Sequence, residues 1–158
     1  MFRELRRKNK QISKEECVTL LKRETRGVLS VIGDGDYPYG MPMNHFYNEN
    51  DGKIYFHSGR AGHREDALRR NNKASFCLFE QGVRKAGDWA LTVRSVVVFG
   101  KIEIIDDPAT VADITERLCH KFTDDEAYIK AEIAQHAHNT VLLCLAPEHI
   151  CGKLVVES

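Results

Sequence analysis

Residues Lys53 to Asn72 read KIYFHSGRAGHREDALRRNN. His57, Ser58, Gly59, Arg60, Gly62, His63 and Arg64 gather an imidazole pair, a hydroxyl, two guanidinium groups and two glycines between a strand-like run and a helix. A phosphate or other anion needs backbone N–H groups aimed at one spot, together with positive charge. A glycine turn running into a helix N-terminus supplies the first, and the helix dipole adds to it. Arg64 falls in the first turn of that helix, where a cation opposes the dipole; a bound anion would remove the conflict. Ser58 can donate a hydroxyl and His63 a ring N–H. The same residues also describe a solvated basic turn followed by a solvated face at Arg69 and Arg70, and both readings stand on local chemistry.

The elements that must position these groups follow from pattern. Ser13 and Glu16 form an S-x-x-E capping box, and the spacing predicts a helix to about Glu24 with Cys17, Leu20 and Leu21 buried, ended by Gly27. GVLSVIG (27–33) reads as a strand and DGDYP (34–38) as a turn. PYGMPMNHFY (38–47) reads as one extended run, with Pro42 marking an edge or bulge. Asp51-Gly52 turns the chain into KIYFHS (53–58), a short helix follows from about His63 to Asn71, and KASFCLFE (73–80) is another strand. QGVRKAGDW (81–89) reads as a loop, and residues 90–106 as a long β-branched strand bent at Gly100. Asp107 caps a helix with Pro108 at its first position and Val111, Ile114 and Leu118 on its apolar stripe. TDDE (123–126) reads as a capping box opening a helix toward His138, and TVLLCLA (140–146) as a final strand. About six strands joined mostly by short turns, without alternating βαβ units, predict a mainly β chain: an antiparallel six-stranded barrel with flanking α-helices, one domain over residues 1–158.

The bulk properties narrow the partners. Lys plus Arg is 23 and Asp plus Glu is 23, so the formal net charge is +0 and nothing draws the whole chain to nucleic acid or an acidic membrane. Five scattered cysteines without a CxxC suit a reducing, cytoplasmic setting. The basic start MFRELRRKNKQ lacks the apolar core of a signal peptide, and no run approaches the length of a membrane span.

The order DGDYPYGMPMNHFY, KIYFHSGRAGHREDALRRNNKASF, RSVVVFGKIEIIDDP and HICGKL resembles the FMN-binding split-barrel superfamily of pyridoxamine 5'-phosphate oxidases, and within it the nitroimidazole-resistance-like flavoproteins. The resemblance implies a split β-barrel, a homodimer with FMN (or FAD) between its subunits, and a small-molecule substrate. It implies that Pro42, Met43 and Asn44 lie along the flavin ring, that His57 and Ser58 meet the ribityl chain and phosphate, and that His63 and Arg64 hold the phosphate. Ser95 would reach the ring or ribityl chain, and Lys153 would approach the flavin of either subunit. Arg64 stands where such proteins more often carry lysine; it keeps the charge and adds a fork suited to phosphate. The arginine–histidine substrate pair of the B6 oxidases has no counterpart in CGKLVVES. The implied activity is therefore an FMN-dependent oxidoreductase of nitroreductase type, with His57 as the proton donor. The alternative is a flavin carrier or sensor; B6 oxidation, haem or metal binding stand further off.

The C-terminal third holds His136, His138, Cys144, His149 and Cys151. His136 and His138 are two apart on an expected helix and so diverge, and Cys144 lies in an apolar run, so no metal site is assigned. Trp89, Phe76, Phe79 and Phe99 are expected to fill the core or the dimer interface.

Overall fold

The computed structural model describes residues 2–157. Helix α1 (Lys14–Arg23) starts at the expected box: the Glu16 N–H donates to the Ser13 hydroxyl at 3.1 Å and the Ser13 N–H to the Glu16 carboxylate at 2.9 Å. It buries Cys17, Leu20 and Leu21. It ends before Gly27, which belongs to strand β1 (Arg26–Ile32). A Cβ at Gly27 would stand 2.5 Å from the Phe76 ring, so this glycine lets a strand cross an aromatic and does not terminate a helix.

The chain continues through β2 (Pro38–Asn44), β3 (Phe46–Asn48), β4 (Lys53–Gly59), α2 (His63–Arg70), β5 (Lys73–Phe79), β6 (Val83–Arg84), β7 (Leu91–Ile105), α3 (Pro108–Cys119), α4 (Glu126–His136) and β8 (Thr140–Glu157). Among the described residues the sheet thus has eight strands where six were expected. His45 divides the run 38–47 into β2 and β3, and the expected loop 81–89 contributes β6, a short ladder on β7. β8 also runs past Ala146 to Glu157. Pro147 disguises that continuation: the β7–β8 register shifts at Phe99/Gly100, which pair with His149 and Pro147, so Glu148 bulges out. A Cβ at Gly100 would sit 2.1 Å from the Ala146 carbonyl oxygen, so the bend needs glycine as expected. Asp107 caps α3 by accepting from the Thr110 N–H at 2.9 Å. The cap of α4 is Asp125, which accepts from the Tyr128 N–H at 3.0 Å; Thr123 serves one step earlier, bonding Asp125.

All ladders are antiparallel, in the order β2-β1-β5-β7-β8-β4-β3 with β6 beside β7. The fold is a split β-barrel with flanking helices. Inward residues Leu29, Val31, Ile54, Phe56, Phe76, Val96, Val98, Leu143 and Leu145 fill it, and α1 packs into the same core. A second, smaller core forms on the outer face of β4 and β8, where Tyr55, Leu142 and Cys144 meet Val111 and Ile114 of α3. Among the described residues no helix is long and apolar enough to cross a membrane.

The two ends of the strand path, β2 and β3, are separated in sequence by His45 alone. His45 is fully buried. Its Nε2–H donates to the Leu21 carbonyl at 2.7 Å, its N–H to the Thr25 carbonyl at 3.3 Å, and its ring lies 4.8 Å from that of Phe76. The Lys121 ammonium donates to the His45 carbonyl at 3.0 Å and to the Glu24 carbonyl at 2.7 Å, closing the end of α1. Burial, with the Lys121 charge adding to it, pushes His45 down to about 4. Burial likewise pushes Lys121 down to about 8, the Glu24 carboxylate pulling the other way.

A depressed histidine binds its proton more weakly in the folded chain than in the unfolded one. Stability is therefore full above the unfolded value near 6.5 and falls as pH drops toward about 4. Across that window His45 should account for about 3 kcal/mol. Urea unfolding of the wild type and of His45→Phe at pH 7 and pH 4.5 checks this: the variant should lose less stability on acidification. Equal losses would remove His45 from the account of acid sensitivity.

Candidate functional site

β4 ends at Gly59, a bend follows, and α2 opens at Gly62. Gly62 has φ 146°, which side chains rarely adopt, and it leaves the helix without a side-chain cap. Along β4 side chains alternate, so Ser58 turns inward with Ile54 and Phe56, to the mouth of the barrel beside the first turn of α2.

There Ser58 meets Arg64 and Glu65. The Ser58 hydroxyl donates to Glu65, the Arg64 Nη2 donates to Ser58, and the Arg64 Nε donates to the Glu65 carboxylate at 3.0 Å. Glu65 is buried, at 3% exposure. Burial alone would raise its pKa, but the Ser58 hydroxyl, its own N–H and Arg64 outweigh burial and hold it below the usual value. The remaining arm of the guanidinium, Nη1, has the Met43 sulfur at 3.5 Å, a weak acceptor. The conflict between Arg64 and the helix dipole, assigned in the sequence to an outside anion, is thus settled in part by Glu65. The signal was present: an acid at the third helical position is where a capping box places one.

His63 is on the rim. It stacks on Tyr39 with ring centroids 4.4 Å apart, and its Nε2 lies 3.4 Å from Oδ2 of Asp34, whose Oδ1 accepts from Arg70. Ser58, His63, Arg64 and Met43 therefore gather at one end of the barrel.

The other expected residues do not join them within the chain. His57 is next to Ser58 in sequence but turns to the outer face, under α3 and α4, and so does not join Ser58 and Arg64 within the chain. Its Nε2 is buried without a partner, and burial lowers its pKa. Pro42 and Asn44 alternate outward against the inward Met41 and Met43, and the Asn44 side-chain Oδ1 accepts from the Arg26 Nε at 2.8 Å. Ser95 and Lys153 are register partners on the same outer face, in line with Phe79. A cavity of ≈ 510 Å³ between α1, the β3–β4 turn and the β8 bulge is lined by none of these residues. The C-terminal histidines and cysteines are dispersed; among the described residues, the group with metal-ligand geometry is exposed Glu116, His120 and Glu126.

Glu65→Gln should expose what the buried acid does. Arg64, with its side chain 23% exposed, would lose its counter-charge. The loss should be about 1–3 kcal/mol, read as a lower urea midpoint. An unchanged midpoint would show that Arg64 does not need this partner.

The sequence model described as pyridoxamine 5'-phosphate oxidase matches residues 13–154. No curated protein matches in sequence. Among solved structures, a candidate 5-nitroimidazole antibiotic resistance protein from Bacteroides thetaiotaomicron aligns with TM-score 0.73 at 20% identity, covering 91% of this chain and 86% of that one. An FAD-binding protein from Mesorhizobium loti aligns with TM-score 0.66 at 21% identity, covering 92% and 96%. A flavocytochrome from Azotobacter vinelandii aligns with TM-score 0.78 at 19% identity, covering 96% and 72%. At such identities the likeness carries the fold.

Proposed function

The chain belongs to the pyridoxamine 5'-phosphate oxidase family, and on that premise we propose that it binds a flavin, FMN with FAD as the larger form, and acts as an oxidoreductase on small nitro-aromatic or related compounds. The observation that carries the reading is the meeting of Ser58, Arg64 and an uncapped α2 N-terminus at one end of the barrel. These groups fit a phosphate. Nη1 of Arg64 holds only a thioether, and Gly62, having no side chain, caps none of the helix N–H groups. Similar folds described as FAD-binding and as a flavocytochrome add support. When bound, the flavin supplies the redox chemistry. The chain's own part is to hold the phosphate through Arg64 Nη1 and the first N–H groups of α2, to keep Arg64 aimed through Ser58 and Glu65, and to cover the rim with His63 and Tyr39.

The ring-side residues explain why a second copy is part of the proposal. Pro42, Asn44, Ser95 and Lys153 lie on the outer sheet face, opposite to Ser58 and Met43. In a homodimer each outer face would serve the flavin anchored by the partner. That face is also apolar and uncovered: Val28, Phe79 and Phe99 are 37%, 66% and 37% exposed. Trp89, 70% exposed, is likewise outside the core, whereas Phe76 is within it. The segment CGKLVVE is drawn into β8, and as it carries no arginine–histidine pair the reading does not extend to B6 oxidation. The placement of His57 favours a second reading, a flavin carrier or sensor, because it takes the expected proton donor away from the phosphate corner.

Arg64→Ala should weaken FMN binding by about one to two decades, the worth of a charge-assisted contact; titration of the apoprotein against flavin fluorescence reads it, and unchanged affinity would refute the phosphate assignment. Phe79→Glu should give a monomer by light scattering and weaken FMN as well; a wild-type holoprotein of monomer mass would rule out the shared site. Activity is read anaerobically: dithionite-reduced holoprotein mixed with a nitroimidazole should reoxidise faster than free reduced FMN. Equal rates would favour the carrier.

A further inference from the structure

The bend between β4 and α2 and the start of that helix carry two guanidinium groups, and their surroundings differ. Arg64 is matched by a buried acid: its Nε donates to the Glu65 carboxylate at 3.0 Å, Nη2 donates to Ser58, and Nη1 alone lacks an oxygen acceptor. Arg60, four residues earlier, has no acidic partner among the described residues. Its Nε donates to the His138 carbonyl at 2.9 Å, which ties the side chain to the turn after α4 and leaves both Nη groups without a partner in the chain.

That distribution of charge discriminates between the two flavin nucleotides. The phosphate of FMN concentrates about −1.5 to −2 charges on one phosphorus at neutral pH. Beside Arg64 it would meet the Glu65 carboxylate. Burial opposes ionisation of that acid, but the Ser58 hydroxyl, its own N–H and Arg64 hold its pKa below the usual value, so it stays charged. A concentrated dianion next to a carboxylate is repelled. The pyrophosphate of FAD instead carries one charge on each of two phosphorus atoms. One charge suits Arg64 Nη1 and the α2 N–H groups. The other needs a second cation along the same bend, and Arg60 has an unmatched fork to offer.

The rim is aromatic. Tyr39 stacks on His63, the neighbour of Arg64, and Tyr37, two residues before Tyr39, is 77% exposed. Of the acids in this loop, Asp34 is held by Arg70 and His63, whereas Asp36 is exposed and has no cationic partner. An unpaired carboxylate disfavours a phosphate here but accepts an N–H from a neutral base, and an exposed ring offers that base a stacking surface.

We propose that the chain holds its flavin as the dinucleotide: Arg64 Nη1 and the first α2 N–H groups take the phosphate next to the ribityl chain, Arg60 takes the second phosphate, and the adenine covers Tyr37 at the rim. The inference rests on the flavin reading above and sharpens it, making FMN the weaker ligand.

Flavin released by heat from the purified full chain should chromatograph as FAD. Calorimetric titration of the flavin-free chain should give FAD binding about tenfold tighter than FMN, the worth of one charge-assisted contact. Arg60→Gln, which can still donate to the His138 carbonyl, should weaken FAD about tenfold and leave FMN within about twofold. Tyr37→Ala should weaken FAD alone by about tenfold, the worth of one stacked base, and it carries the test if Arg60→Gln disturbs the bend. Arg64→Ala should weaken both nucleotides. An FMN affinity equal to or above that of FAD would overturn the dinucleotide and leave the flavin reading in place. So would equal losses of FMN and FAD in Arg60→Gln and Tyr37→Ala, the mark of a structural effect. Binding of neither nucleotide would overturn both readings together.

Discussion

One buried imidazole decides how far this sheet can curl. β2 and β3 are the two free edges of the barrel, yet one residue joins them. A continuous strand from Pro38 to Asn48 could not lie on both edges at once. His45 makes the break by turning its backbone and ring toward α1, where the Leu21 and Thr25 carbonyls receive its two N–H groups. Lys121, arriving from the end of α3, bonds the carbonyl that the break leaves without a strand partner. The seam of the barrel, the end of α1 and the end of α3 are therefore one hydrogen-bonded junction. Moving any part of it would change how wide the barrel mouth stands, and with it the spacing between Met43 on β2 and Arg64 on α2.

The period of two along β4 then distributes the chemistry. Ser58 faces into the barrel with Phe56, and His57 faces out with Tyr55. Neighbours in sequence are in separate surroundings: one among charged groups at the barrel mouth, the other in an apolar chamber under two helices. The same alternation on β2, β5, β7 and β8 sends Pro42, Ser95 and Lys153 outward while Met43 turns in. A single strand register thus fixes which groups can act together in one chain and which can meet only across two.

Much of this was legible because it is local. The capping box at Ser13, the Asp107–Pro108 helix start, the edge position of Pro42 and the bend at Gly100 each follow from the residues within a turn of them. The outward turn of His57 is legible in the alternation of KIYFHS, whereas its place beside Ser58 at the phosphate is what the family resemblance implies. Glu65 was hidden by its type: an acid on a basic, polar helix reads as solvated, and only the barrel wall makes it buried. His45 could not be read at all. Its partners Leu21, Phe76 and Lys121 are far along the chain and meet only when the sheet has curled. The length of β8 was lost to Pro147, which the bulge accommodates without ending the strand.

The place of β8 also sets the order in which a nascent chain can be completed. β8 lies between β7 and β4, so until residues 140–157 leave the ribosome the sheet exists as two pieces. One is β2-β1-β5-β7, the other the β3–β4 hairpin, and neither has its inner face covered. Joining them means closing a loop that spans most of the chain, which makes the final step slow relative to hairpin formation. During translation both β4 and β7 present an unpaired edge to other chains. A polypeptide released before Thr140 would keep those edges permanently, and should be found among aggregates or degradation products instead of the folded pool.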